Sequence, residues 1–132
     1  MRHRSRILLG SALIVVVLGG CGGSSSAGVD LSGKRFEDRR GQRTVTLDAV
    51  DNNFRPQYVT VSAGTKVVFT NVGRNQHNII PVNGTFREVA TVDFEPGEHA
   101  TMTFERAGDF PYYCSLHGTP AKGMNGAIRV VK

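Results

Sequence analysis

Four side chains able to hold a soft or borderline metal ion fall in two stretches of the 132-residue chain. Cys114, His117 and Met124 lie between residues 110 and 127, FPYYCSLHGTPAKGMNGA, and His77 lies in NQHNII, just after the apolar run Val67-Val68-Phe69. A thiolate, an imidazole and a thioether together suit copper better than magnesium or calcium, which take hard oxygen ligands. With His77 as a second imidazole, the set becomes two His, one Cys and a weak axial Met, the donors of a mononuclear blue-copper site that carries electrons. Zinc would accept the His and Cys donors but leave the Met idle.

Each donor also has a plainer reading. A single His in a loop is more often an ordinary surface group, and a Cys can be a small buried hydrophobe. A Cys with a His three residues on also suggests a thiol nucleophile, but that chemistry needs an orienting third group and an oxyanion site, and the sequence proposes neither. Met102 competes with Met124 for the axial place; it sits mid-strand in HATMTF, where filling the core is the default for methionine, whereas Met124 lies between Gly123 and Asn125-Gly126. His99, on the same strand as Met102, is expected at the surface, and no second His cluster is available for a further copper centre.

Positioning these donors falls to strands. Thr44-Val-Thr-Leu-Asp-Ala-Val alternates, Tyr58-Val-Thr-Val ends at the turn Ala63-Gly64, and Lys66–Val72 and His77–Ile80 follow. Further runs are Phe86–Val92, Glu98–Phe104, Phe110–Cys114 and Ala127–Val131, with Gly, Pro and Asn-Gly between them. About eight short strands at fairly regular spacing are the signature of a β-sandwich. No helical period of useful length is present. The expected core is Val45, Leu47, Val59, Val61, Val67, Phe69, Phe104, Ile128 and Val130. The loop from Cys114 to Met124 is expected to carry three donors before the chain re-enters a strand at Ala127.

The N-terminus reads as an export signal. Arg2, Arg4 and Arg6 precede an apolar run, Ile7 to Gly20, shorter than the about 20 residues that span a bilayer. Leu18-Gly19-Gly20-Cys21 has the small-residue pattern of a bacterial lipobox, so residues 1–20 are expected to be a lipoprotein signal peptide and Cys21 the acylated mature N-terminus. A Cys21–Cys114 disulfide is the competing reading, ranked lower because Cys21 sits at the expected cleavage point. Residues 21–43 are Gly- and Ser-rich and then polar, which predicts a linker whose extended reach is at most roughly 75 Å. The domain is then 44–132. Without the three signal arginines the formal charge of +5 falls to +2, too little to argue for nucleic acid.

His77-Asn78 upstream and YYCSLH…GM…G downstream together resemble the cupredoxins, of the plastocyanin and amicyanin type, over roughly the last two-thirds of the chain. The resemblance implies a Greek-key β-sandwich holding one type 1 copper ion, ligated by His77, Cys114, His117 and Met124. It also implies that Asn78 and Ser115 tie the two halves of the site together, that Phe54 packs beneath the metal, and that Leu116, Pro120 and Ala121 surround an exposed edge of His117 where redox proteins dock transiently. The chain departs from the pattern in one place: six residues separate His117 from Met124, a longer loop than that resemblance carries. Function follows as an expectation: a monomeric, non-enzymatic electron carrier, lipid-anchored and facing the periplasm or the cell exterior. The alternative is an exported copper protein for delivery, storage or sensing.

Overall fold

Alternating inward and outward residues account for most of the architecture. In the strand Thr44–Val50, Val45, Leu47 and Ala49 point inward and the residues between them do not, as a half-buried pleated strand requires. The computed structural model describes residues 28–132; the expected signal peptide, Cys21 and the start of the expected linker lie outside these residues. Nine strands are present among them: β1 (Glu37–Asp38), β2 (Thr44–Val50), β3 (Asn53–Arg55), β4 (Tyr58–Ser62), β5 (Thr65–Asn71), β6 (Ile80–Pro81), β7 (His99–Phe104), β8 (Gly108–Gly118) and β9 (Gly123–Val131).

They form two sheets, ordered β1-β4-β9-β8-β6 and β3-β2-β5-β7. β2 runs parallel to β5 and β4 parallel to β9, while β5–β7 and β8–β9 are antiparallel. Crossing between sheets in this way makes an all-β sandwich whose inward faces form one buried core. All nine expected core residues are buried, none more than 4% exposed, each worth about 1.5–3 kcal/mol when a large aliphatic or aromatic side chain leaves water. Phe54, Phe69 and Tyr112 pack edge to face at ring separations of 4.9, 5.2 and 6.5 Å. Tyr112 lies two residues from Cys114, so this cluster is a rigid floor close to the candidate donors.

Four expectations are corrected. His77–Ile80 is not a strand: His77 and Asn78 lie in a connection, Ile79 makes an isolated bridge to Val89, and only Ile80 enters β6. Phe86–Val92 is not a strand: only Val89 bridges, to Ile79, and Thr91–Asp93 is a short 3₁₀ turn. Val89 and the following Phe94 are inward and Val92 is largely in solvent, and the bridge to Ile79 is the segment's one strand-type pairing among the described residues. The described part of the expected linker is also packed. Leu31 is buried, and β1 pairs in parallel with β4 through Glu37↔Val59 and Asp38↔Thr60. Its polar composition concealed a single apolar anchor and a two-residue edge strand. Finally, β8 and β9 extend further than expected, so the segment carrying His117 and Met124 is the end of a hairpin rather than an open loop.

Candidate metal centre

Three of the four predicted donors meet at one end of the sandwich. His77 Nδ1 lies 3.7 Å from Cys114 Sγ, His117 Nδ1 lies 3.6 Å from the same sulfur, and the two nitrogens are 3.2 Å apart. These are the only His, Cys, Asp and Glu side chains grouped closely enough to hold an ion among the described residues. His77 and Cys114 are fully buried and His117 is partly exposed.

Local structure explains how residues so far apart converge. Along a flat strand, positions three apart face opposite sides. Cys114 and His117 nevertheless share a side, because the β8–β9 register breaks between Tyr113 and Gly118. Five steps along β8 are matched there by two along β9, from Asn125 to Gly123, and the excess bulges the chain and turns His117 back toward the sulfur. The ladder then resumes with the pair Gly118↔Gly123 and closes in a turn, with Thr119 N donating to Lys122 O at 2.8 Å. The six residues after His117 are thus spent on one ladder pair and a four-residue turn, and Met124 returns beside His117. Both glycines are required. A Cβ on Gly118 would stand 2.4 Å from Met124 N, and one on Gly123 would stand 2.6 Å from His117 O at a backbone φ of 77°.

His77 is delivered by the connection between β5 and β6. Asn78 beside it both donates and accepts: its Nδ2 donates to Ser115 Oγ at 2.8 Å, and its Oδ1 accepts from Ser115 N at 2.8 Å. This two-point tie joins the His77 segment to the Cys114 segment, as the resemblance implied. Tyr112 points inward and Tyr113 is half-exposed. Met124 is completely buried, Met102 is a core residue in mid-strand, and His99 is exposed and away from the cluster.

Sequence reasoning missed Asn71. It is fully buried; its Nδ2 donates to Asn75 O and to Phe94 O, both at 2.9 Å, and its Oδ1 accepts from Gly73 N at 3.1 Å. Phe94 O also accepts from His77 N at 3.4 Å, so Asn71 clamps the loop that presents His77. The signal was available, because Thr65, Val67, Phe69 and Asn71 share the inward face of β5. A polar residue at an inward position must find partners.

The donor set fits copper. Edges of 3.2, 3.6 and 3.7 Å describe a circle of radius about 2.0 Å, close to the roughly 2.0–2.3 Å of nitrogen and thiolate bonds to a first-row ion. Burial, and then the neighbouring His117, hold the His77 imidazole below its usual pKa, which favours the neutral form that a metal needs. His77 Nε2 is buried without a hydrogen-bond partner, leaving Nδ1 as the nitrogen engaged at the cluster.

Comparison with known proteins agrees with this chemistry. Residues 42–131 match the family described as copper binding proteins, plastocyanin/azurin family. A chloroplastic plastocyanin from Tetradesmus obliquus is 33% identical over 85 residues, covering 58% of this chain and 57% of that one. This chain therefore spans a little over half the length of that relative. A reduced amicyanin variant superposes with a TM-score of 0.59 at 20% identity, covering 68% of this chain and 84% of its own, a likeness of fold. A copper-containing nitrite reductase from Thermus scotoductus gives a TM-score of 0.55 at 26% identity, covering 79% of this chain but 25% of that one.

Proposed function

Because the chain belongs to the plastocyanin/azurin family of copper-binding proteins, we propose that it is a single-electron carrier whose one type 1 copper is held by His77 Nδ1, Cys114 Sγ and His117 Nδ1, with Met124 as the weak axial donor. When bound, the ion supplies reversible one-electron exchange between Cu(II) and Cu(I). The residues supply everything else. The observation that carries the reading is the prebuilt triangle of three donors, fixed by strands, by the Asn78–Ser115 tie and by the Asn71 clamp. A ligand frame packed this tightly holds one geometry for both valences, so little rearrangement opposes transfer.

His117 is the donor with access to solvent, and Leu116 beside it is 51% exposed while Pro120 is half-buried. This apolar margin suits brief docking of redox proteins, which requires small, weak interfaces. The nitrite reductase likeness covers a quarter of that enzyme. Here the described histidines are His77, His99 and His117, and only two of them join the cluster, so we read the chain as a carrier and not an enzyme. Acylation of Cys21 would hold the carrier at a membrane, facing the periplasm or the cell exterior, and it would act as a monomer. No helix among the described residues is long and apolar enough to cross a membrane.

Reconstitution with Cu(II) tests the reading. An intense visible thiolate-to-copper band and a reversible couple are expected, with the colour lost in Cys114→Ser. Colour that survives this change defeats the model, and a colourless Cu(I) site that hands its metal to an acceptor points to copper delivery.

A further inference from the structure

The family match begins at residue 42, yet the chain before it is folded onto the sandwich and reaches the site hairpin. We propose that this strap, Leu31–Asp38, acts through Tyr58 as a brace that positions Met124 and so tunes the site. The inference rests on the reading of Met124 as axial donor.

The strap is fixed at several points. Leu31 is buried, Arg39 N donates to Thr60 O at 2.8 Å beyond the β1–β4 pairing, and Gly41 N donates to Ser62 Oγ at 3.1 Å. The Phe36 ring lies under the Arg129 guanidinium at 4.0 Å, and Asp109 holds that guanidinium at 2.8 and 3.0 Å. Such cation–π and paired-charge contacts order a segment that composition alone would leave loose.

Tyr58 is where the strap meets the site. Phe36 packs against its ring at 5.5 Å and Lys34 Nζ stands 5.6 Å from the ring centre. Its hydroxyl donates to Asn125 Oδ1 at 3.2 Å, and Gln57 Nε2 donates to the same oxygen at 3.2 Å. Asn125 is buried, directly follows Met124 and pairs with Tyr113, the neighbour of Cys114. A hollow of about 270 Å³ bordered by Leu31, Lys34, Tyr58, Pro120 and Asn125 shows that the strap and the hairpin share one end of the molecule.

Without the strap, Tyr58 would face water on its outer side, and water would compete for its hydroxyl. The Phe36 ring and the Lys34 side chain keep the hydroxyl on Asn125, in a less polar setting where the bond is stronger. Any displacement of Asn125 passes through one peptide unit to Met124. A weak, long axial bond responds to small displacements, and the axial ligand sets the potential.

Two full-length variants test the brace: Tyr58→Phe, which keeps the ring and removes the donor, and Phe36→Ala, which uncovers the ring. In metal-free protein, amide exchange at Met124–Gly126 should rise roughly three- to tenfold in both, the effect of one lost hydrogen bond. In copper-loaded protein the colour should persist while the reduction potential shifts, a readout that a purely structural contact would leave alone. Exchange at these residues equal to the parent's overturns the brace, and so does an unshifted potential in both variants. A parent protein that stays colourless with Cu(II) while the exchange effect is present overturns the copper reading instead, and with it the tuning.

Discussion

His77 is buried, its Nδ1 faces a thiol and a second imidazole, and the residue after it, Asn78, is tied at two points to Ser115. Removing that tie should loosen the donors without removing any of them. We predict that Asn78→Ala leaves Ser115 N unpartnered at part-buried cost, about 1–3 kcal/mol of stability, and weakens copper binding about 10- to 100-fold, as loss of ligand-orienting groups does. A melting curve and a competition titration with a chelator check both; unchanged affinity would show that the tie does not orient the donors. The same burial gives a pH dependence with a definite sign. The folded-state pKa of His77 lies below 6.5 because burial and then His117 oppose its charge, so the unfolded chain takes up the proton first. Stability present above that value is lost as pH falls toward the folded-state pKa. The urea midpoint of metal-free protein should therefore drop between about pH 7.5 and about pH 5, and drop less in His77→Gln, which cannot charge. Parallel curves for the two proteins would assign the acid sensitivity to other groups.

At the scale of elements, the site depends on two irregularities in one hairpin: the bulge that turns His117 inward and the glycine pair that lets β8 and β9 close. Gly123→Ala must place a side chain at φ 77°, 2.6 Å from His117 O. A backbone clash of this kind cannot be relieved by a rotamer, and strain of about 1–3 kcal/mol is the usual scale. We predict a lower melting temperature together with weaker colour, whereas Gly97→Ala, also at positive φ but with nothing near its Cβ, should lose stability and keep its colour. Equal spectra for the two variants would mean that the hairpin does not shape the site. These elements also mark where sequence reading succeeds and fails. The strand Thr44–Val50 was legible because each second residue, Val45, Leu47 and Ala49, is apolar, and Thr65–Asn71 was legible from the apolar run at its centre, although both ends of its inward face are polar. The donors His77, Cys114 and His117 were legible because chemistry restricts which residue types can serve. The β1 strand and the 3₁₀ turn at Thr91–Asp93 were not, because two- and three-residue elements carry no period and depend on neighbours far away in sequence. Asn71, Tyr58 and Asn125 escaped notice for a related reason: their roles are hydrogen bonds across the fold, and no local spacing announces them.

The whole molecule places its donors and its N-terminal strap at the same end, and this bears on how an anchored carrier would work. The expected linker of residues 21–43 had a reach of roughly 75 Å, but Leu31 is buried and Glu37 and Asp38 pair with β4, so the chain is held to the domain from Leu31. From Cys21 to Gly28, where the described chain begins, seven peptide steps extend at most about 25 Å. If Cys21 is acylated, the His117 end of the domain stays near the lipid surface and does not roam. A partner embedded in the same membrane then meets it at a raised effective concentration, while a freely diffusing partner gains nothing. We predict that Cys21→Ser shifts the protein from the membrane fraction to the soluble fraction with its visible spectrum and melting temperature unchanged, since the metal donors and the core all lie at residue 31 or beyond. Electron exchange with a membrane-bound acceptor in reconstituted vesicles should slow by at least tenfold at equal total protein, while exchange with a small soluble oxidant should stay the same. Retention of the variant on membranes would remove the lipid anchor from this picture, and equal rates with the bound acceptor would show that proximity to the lipid surface does not govern transfer.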